Sequence, residues 1–134
     1  MTRSRSAVLL VLQSAPAPLT AAEVRKITGA SMDPATVYRT LHYLEEHGYA
    51  ASFVLHCEAH GTERYWTALV SESGEALPHH HWFHCEQCHC FLDMGNCRLE
   101  PLLTGLEREY EVVVTGHTLH LSGLCPGCKA ARSC

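Results

Sequence analysis

The sequence lacks any apolar run approaching the roughly 20 residues that a membrane-spanning helix needs, so we expect no membrane association. It also has little charge, since acidic and basic residues make up 18% of the chain against 46% hydrophobic ones. This balance is typical of a globular protein and not of a disordered one. A length of 134 residues leaves room for one ordinary domain or for two small ones that share an interface.

The chain as a whole lacks the positive charge typical of proteins that bind nucleic acid, because its formal net charge is −4. The charge is unevenly distributed, however. Residues 1–43 carry five basic and two acidic side chains, whereas the remainder carries five basic and twelve acidic ones. A basic first third followed by an acidic remainder predicts two parts with different roles.

Signatures of zinc enzymes are missing. The sequence contains no His-Glu-x-x-His. Its two Cys-x-x-Cys pairs together supply four thiolates and leave no open metal position of the kind that zinc deaminases use. We therefore expect no enzyme, and a zinc-dependent deaminase or hydrolase is the alternative from another class.

Eight cysteines and eleven histidines are many for so short a chain. An even number of cysteines can indicate the disulfide framework of a secreted protein. Arg3 and Arg5, which precede the apolar residues 7–12, resemble the start of a signal peptide. That apolar core is shorter than usual, and its residues fit one face of a helix. We therefore expect a cytoplasmic protein, and a count of free thiols would separate it from the secreted alternative.

The first third of the sequence predicts three helices followed by a hairpin. Thr20 is a good N-cap for the second helix, and Asp33-Pro34 suits the start of the third. The predicted helices cover residues 4–14, 21–28 and 34–47, and the predicted strands cover residues 49–56 and 63–70. Such an order indicates a winged helix-turn-helix domain over residues 1–70, with the third helix reading DNA.

A second, smaller domain is predicted over residues 79–134. Residues 71–78 before it have the composition of a linker and are predicted to form a hinge. The predicted strands cover residues 81–85, 90–94, 111–115 and 117–123, and the predicted helix covers residues 98–109. A unit of this size is difficult to stabilise without a disulfide or a metal. The predicted fold class is therefore α+β.

The strongest chemical signal is the repeated Cys-x-x-Cys pattern at Cys85 and Cys88 and again at Cys125 and Cys128. Two such turns complete a closed tetrahedral zinc site. Two disulfides are one alternative, and a redox pair is another, although no βαβ unit follows the second pair. Zinc binding worth on the order of 10 kcal/mol would explain how so small a domain folds.

A run of three histidines, His79-His80-His81, ends four residues before the first of these cysteines. Side chains alternate along an extended strand, so we expect His79 and His81 on one side and His80 on the other. This arrangement suits two metal sites that flank one strand, and a solvated loop is the alternative. The further ligands available are Asp93, Glu100, His117 and His120.

The third predicted helix begins with side chains suited to DNA. Hydroxyl, phenol and guanidinium groups on the first turns of a reading helix suit contacts to phosphates and base edges. The candidate residues are Thr36, Tyr38, Arg39 and Thr40. Such residues also occur on ordinary solvated helix faces.

Three segments together resemble the ferric uptake regulator family. Residues 33–48 are similar to its recognition helix, residues 79–88 to its histidine run and first cysteine pair, and residues 123–128 to its second pair. In character, the resemblance is closest to the zinc uptake regulators. It implies a winged helix-turn-helix domain followed by a small α/β dimerisation domain with structural zinc. It also implies a homodimer that binds an inverted-repeat operator in double-stranded DNA.

The resemblance also implies roles for individual residues. Tyr38 and Arg39 match positions that contact the operator. One ligand set matches the structural zinc site: Cys85, Cys88, Cys125 and Cys128. A second set matches the metal site within the dimerisation domain: His79, His81, Glu100 and His117.

The hinge sensing site of the family is matched incompletely, because Trp82 stands where a second histidine is usual. We hypothesise that donors from the wing turn replace the missing ligands. The hypothetical sensing set is His80, Cys57, His60, Asp93 and His84. Thiolate and imidazole donors favour zinc over iron or manganese. The sequence thus predicts a zinc-responsive repressor of metal homeostasis genes, with an iron, manganese or peroxide sensor of the same family as the alternative.

Overall fold

The computed structural model describes residues 1–29, 32–58 and 61–132. It divides into two compact units, which we call the N-terminal unit, Met1–Leu77, and the C-terminal unit, Pro78–Cys134. Helices precede small sheets along the chain, so the predicted α+β class is confirmed. Among the described helices, none combines the length and apolar character that crossing a bilayer requires.

Three helices begin the N-terminal unit: α1 (Arg3–Ser14), α2 (Ala21–Thr28) and α3 (Pro34–Glu46). Both predicted N-caps are present. The Thr20 hydroxyl accepts from the Glu23 backbone N–H at 3.1 Å, and the Glu23 carboxylate accepts from the Thr20 N–H at 3.0 Å. This reciprocal pair satisfies two backbone donors at the start of α2. Asp33 accepts from the Thr36 N–H at 2.7 Å, so α3 begins where the sequence indicates.

The wing is an antiparallel hairpin of β1 (Ala50–Cys57) and β2 (Gly61–Ala68). Each strand lies within one or two residues of its predicted range. A third short segment extends this sheet, because the N–H groups of Leu19 and Trp66 each donate to the other's carbonyl oxygen, at 3.1 and 2.8 Å. The hairpin is thereby hydrogen-bonded to the chain that enters α2.

The hydrophobic core of the N-terminal unit lies between the three helices and the wing. Val37, Leu41 and Leu44 are spaced three and four residues apart on one face of α3, and all are fully buried. Trp66 of β2 is only 1% exposed and packs against them. The cluster is completed by Val8, Leu9, Leu12, Val24 and Ala50.

The C-terminal unit is built on a three-stranded sheet with β3 (His80–Cys85) at its centre. β4 (Phe91–Asn96) pairs with it antiparallel, and β5 (His120–Gly123) pairs with it in parallel. Helix α4 (Glu100–Tyr110) joins β4 to β5, and helix α5 (Pro126–Arg132) follows β5. The pairing of Cys85 with Gly123 brings the ends of β3 and β5 together.

Three features of this unit differ from the sequence-based expectation. The strand predicted over residues 111–115 is absent, and the strand predicted over residues 117–123 begins only at His120. Glu111 adopts a left-handed backbone conformation, with φ of 55°, and ends α4 there. The β-branched residues that follow therefore remain unpaired, because β-propensity forms a strand only beside a partner. Helix α5 was not expected from the sequence.

The C-terminal unit buries few side chains. Among its described residues, the only hydrophobic side chains that are buried are Cys85 and Cys125, and α4 has none. His81 and His84 are buried as well. Since aliphatic packing is nearly absent, this unit needs another source of stability.

Candidate metal centres and nucleic-acid interface

Four cysteines form a compact cluster, called here the four-cysteine cluster: Cys85, Cys88, Cys125 and Cys128. Their sulfur atoms all lie within 4.8 Å of one another, and those of Cys88 and Cys125 are 3.7 Å apart. Thiolates bound tetrahedrally to zinc at about 2.3 Å are separated by about 3.8 Å. The cluster therefore fits a zinc ion. The parallel pairing of β3 with β5 brings the two Cys-x-x-Cys turns to the same end of these strands.

The surroundings of this cluster favour the thiolate form of some of its cysteines and disfavour that of others. Backbone N–H groups of Cys125 and Cys88 donate to the Cys85 sulfur at 3.4 and 3.5 Å. These hydrogen bonds lower the pKa of the Cys85 thiol to about 5. By contrast, the side-chain hydrogen bond to Cys125 raises the pKa of Cys128 to about 12. Neighbouring thiolates repel one another, so full ionisation of all four requires a divalent cation.

A second cluster, called here the three-histidine cluster, contains His79, His81, His117 and the sulfur of Cys97. Its four ligand atoms all lie within 4.8 Å of one another. The Nε2 atom of His117 is 3.2 Å from the Nε2 atoms of both His79 and His81. Imidazole nitrogens bound tetrahedrally at about 2.0–2.1 Å from zinc are separated by about 3.3 Å. This cluster also fits a zinc ion.

The ring of His81 is oriented by a hydrogen bond outside the cluster. Its Nδ1 atom lies 3.0 Å from the carbonyl oxygen of Leu119, which can only accept. The neutral ring must therefore carry its proton on Nδ1, which leaves a lone pair on Nε2 that faces the cluster. Metal-bound histidines are commonly held in this way. Burial and the nearby His81 and His117 rings lower the pKa of His79 from 6.5, which also favours a neutral ligand.

The structure places Cys97, and not the predicted Glu100, with the three histidines. Glu100 is exposed at the first turn of α4 and is absent from the described group of ligand atoms. Cys97 immediately follows β4, and its sulfur lies 3.3 Å from the His117 Nε2 atom. The prediction that Glu100 joins these histidines is corrected accordingly. Sequence reasoning missed Cys97 because spacing alone did not reveal which residue of the β4–α4 connection faces the histidines.

The members predicted for a hinge sensing site lie in different places. His80 and Asp93 are paired, with 2.8 Å between Nδ1 and Oδ2, on the face of β3 opposite His79 and His81. His84 is buried, and its ring centre lies 5.0 Å from that of Phe91. Cys57 is half-buried at the end of β1 in the N-terminal unit. His60 lies outside the described residues.

The exposed face of α3 carries most of the predicted DNA-contacting groups. Tyr38 and Arg39 are exposed, and Thr36 is half-buried. The Arg39 guanidinium donates to the Thr36 hydroxyl at 3.3 Å, and the Tyr38 ring packs edge-on against His42 at 4.5 Å. Side chains held in this way present polar groups at the N-terminal turns of α3, which suits phosphate and base contacts.

Thr40 does not belong to that face. Only 7% of its surface is exposed, because it lies on the same buried stripe of α3 as Val37 and Leu44. Its predicted contact with DNA is therefore corrected to a role in packing. Thr40 lies one turn after the half-buried Thr36 and one turn before the buried Leu44, whereas the exposed Tyr38 and Arg39 lie further round the helix.

Comparison with known proteins agrees with this architecture. The model of the family described as the ferric uptake regulator family matches residues 1–122. The chain belongs to the ferric uptake regulator family. Family members are metal-responsive transcription regulators and not enzymes. A comparison with curated protein sequences gave no match.

Solved structures share the fold of this ferric uptake regulator family member. The Helicobacter pylori ferric uptake regulator, described as having three functional metal binding sites, is 20% identical with a TM-score of 0.73, over 96% of this chain and 81% of that one. The Vibrio cholerae ferric uptake regulator is 24% identical with a TM-score of 0.67, over 93% and 91%. A zinc uptake regulator in complex with zinc and DNA is 19% identical with a TM-score of 0.64, over 99% and 85%. At these identities the likeness confirms the winged-helix fold.

Proposed function

We propose that this family member is a zinc-responsive repressor that binds an inverted-repeat operator in double-stranded DNA and acts in the cytoplasm. The observation that carries the proposal is the chemistry of its clustered donors. Both clusters consist of thiol and imidazole groups, with no carboxylate among the described members of either. Such donors favour zinc, whereas iron and manganese sites draw more on carboxylate oxygens. The alternative is an iron, manganese or peroxide sensor of the same family.

The four-cysteine cluster is proposed as the structural site. Cys85 and Cys125 are buried, and four thiolates close the coordination shell of zinc without an open position. The cluster lies in the unit with the fewest buried apolar side chains. A zinc ion held there would supply folding free energy that packing does not.

We propose that a cation bound by the predicted hinge sensing set regulates DNA binding. His80 and Asp93, two of the five residues of the predicted sensing set, lie close together, and Cys57, His60 and His84 stay predictions as further members. A cation regulates DNA binding when it binds the DNA-competent arrangement more tightly than other arrangements. By linkage, operator DNA then raises the affinity for the cation by the same factor.

A homodimer is also proposed, through the C-terminal unit. Several of its large apolar side chains are exposed, and the exposed fraction of Val113 is 84%. The others are Leu92, Met94, Leu102, Tyr110, Val112 and Leu121. A second copy of this chain would cover such a surface, and it would also place two α3 helices to read the two halves of an inverted repeat.

The proposal is tested by measuring DNA binding as a function of the metal supplied. An operator is first selected from a random double-stranded DNA library, and its affinity is then measured by fluorescence anisotropy at fixed salt. Zinc is expected to raise the affinity at least about tenfold, in line with a typical allosteric coupling. A response to manganese or ferrous iron but not to zinc would favour the alternative sensor.

The same assay tests the reading helix. Arg39→Ala is expected to weaken operator binding by about 1–3 kcal/mol if the side chain reads a base. Arg108→Ala removes an equal charge from an exposed position on α4 and serves as the matched control. Equal losses for the two variants would mean that α3 has no special role. Metal content before and after mild chelation, with His80→Ala and Cys57→Ala alongside, reports whether a labile hinge metal exists.

A further inference from the structure

The three-histidine cluster cannot be explained by hydrogen bonds among its own members. The Nε2 atom of His117 has three close neighbours: Nε2 of His79 at 3.2 Å, Nε2 of His81 at 3.2 Å and the Cys97 sulfur at 3.3 Å. A single ring nitrogen offers one proton or one lone pair, so it satisfies one such contact. Because the Leu119 carbonyl holds the His81 proton on Nδ1, that ring brings only a lone pair. The convergence of these atoms indicates a shared cation.

The position of Cys97 results from an irregularity in the sheet. Trp82 pairs with Asp93, but His80 pairs with Asn96, so β4 holds one residue more than β3 between these pairs. Such a β-bulge re-aims the side chains that follow it. In the turn at this bulge, the Gly95 N–H donates to Asp93 Oδ1 at 2.8 Å. Gly95 has a φ of 78°, which glycine adopts readily. Cys97 thereby comes beside the chain that carries His79.

We infer that Cys97 is the fourth ligand of the three-histidine cluster, where the family resemblance implies Glu100. The centre becomes a site of three imidazoles and one thiolate, which takes a zinc-type cation such as Zn²⁺ or Co²⁺. Replacing a carboxylate by a thiolate moves the donor set further from iron and manganese. This goes beyond the proposed function, because it assigns a ligand of one centre whether or not that centre regulates DNA binding.

The test uses Co²⁺ as a probe, because a cobalt–thiolate bond gives an intense near-ultraviolet charge-transfer band. The full-length protein is first loaded with one equivalent of Zn²⁺ per subunit to occupy the four-cysteine cluster, and Co²⁺ is then titrated. A thiolate band that saturates with the second metal is expected for the wild-type protein. Cys97→Ser should lose this band and weaken Co²⁺ binding at least roughly tenfold, the loss known for outer-shell partners alone.

Two matched variants separate Cys97 from its competitors. Glu100→Gln removes the carboxylate implied by the resemblance, and Cys57→Ala removes the thiol of the predicted hinge sensing set. Both are expected to retain the band and the affinity. A band that persists in Cys97→Ser, or an affinity that falls only in Glu100→Gln, would overturn the inference.

A measurement on the unaltered protein guards against misfolding of the variants. Alkylation of Cys97 by iodoacetamide, mapped by mass spectrometry, should be slowed by the second equivalent of Zn²⁺ and restored by mild chelation. Equal alkylation with and without that equivalent would also overturn the inference. None of these readouts involves DNA, so failure here is distinguishable from failure of the proposed repressor function.

Discussion

Single backbone groups decide which atoms of the clustered side chains are available to a cation. The Leu119 carbonyl selects the His81 tautomer, and two N–H groups lower the pKa of Cys85. Asp33 shows the same principle at the reading helix, because the Thr36 N–H stabilises its ionised form. In each case one or two hydrogen bonds favour one tautomer or one ionisation state, and that state decides what the side chain can do.

The negative charge of Asp33 should stabilise the fold only at pH values above the range in which this carboxyl titrates. Hydrogen bonds from Thr36 hold the pKa of this carboxyl below 3.8. A group with a depressed folded pKa stabilises the fold above its unfolded pKa, and the contribution is lost as pH falls through the folded value. Asp33→Asn, which keeps a good N-cap, should therefore be less stable than wild type at pH 7, and the difference should shrink as pH falls below 3.8.

Urea unfolding of both proteins, followed by far-ultraviolet circular dichroism between pH 7 and pH 3, checks this expectation. Both proteins lose bound cations alike at low pH, so the difference between them isolates the cap. A difference that stays constant over this range would contradict a role for the charge.

Helices and strands differ in how far they depend on their surroundings. The helices α1, α2 and α3 form where local caps and apolar periodicity place them, within one or two residues of the predicted ranges. The run Val112–Val114 has the composition of a strand but remains unpaired after the left-handed Glu111. Strand formation requires a neighbour, whereas helix formation satisfies its own backbone groups.

The bulge in β4 is expected to depend on glycine at position 95. Its φ of 78° is left-handed, and an alanine there should destabilise the fold by about 1–2 kcal/mol. Gly95→Ala should also weaken the Co²⁺–thiolate band of the three-histidine cluster, because the alanine would strain the turn that positions Cys97. Gly116→Ala is the matched control, since its added methyl group meets open space without a left-handed backbone.

Thermal unfolding and Co²⁺ titration of the two variants measure both effects. An unchanged cobalt band in Gly95→Ala would show that the bulge does not position the thiolate. Equal destabilisation by both substitutions would show that backbone conformation is not the cause.

The two units of the molecule are stabilised by different means. The N-terminal unit holds the entire cluster of buried aliphatic and aromatic side chains that the structure describes. The C-terminal unit has two buried cysteines in place of such a core among its described residues. The first unit is therefore stabilised by the hydrophobic effect, and we expect the second to depend on a metal ion bound by its clustered ligands.

Strong chelation should accordingly unfold the C-terminal unit and leave the N-terminal unit folded. The expected readouts are a partial loss of circular dichroism and proteolysis that leaves a fragment near residues 1–77. In Trp82→Phe the fluorescence of Trp66, which lies in the N-terminal core, should change little on chelation. Cys85→Ser should resemble the chelated protein without any chelator. Loss of the Trp66 signal together with the rest would mean that the two units unfold as one.

Residue patterns alone predicted the features that rest on near neighbours along the chain. These are the caps at Thr20 and Asp33, the helical face of α3, the alternation of the three histidines and the pair of thiols within each Cys-x-x-Cys turn. Each depends on a fixed period or on a spacing of two to four residues, which is visible in the sequence.

Only the tertiary structure decided the features that rest on distant pairing. The bulge in β4 places Cys97, and not Glu100, with the three histidines, and packing within the N-terminal unit buries Thr40. Slipping a strand by one residue changes which side chain faces a site without changing its composition or spacing. Register is set by contacts between residues far apart in the chain, and for that reason the sequence by itself predicted the type of this metal site but not its fourth ligand.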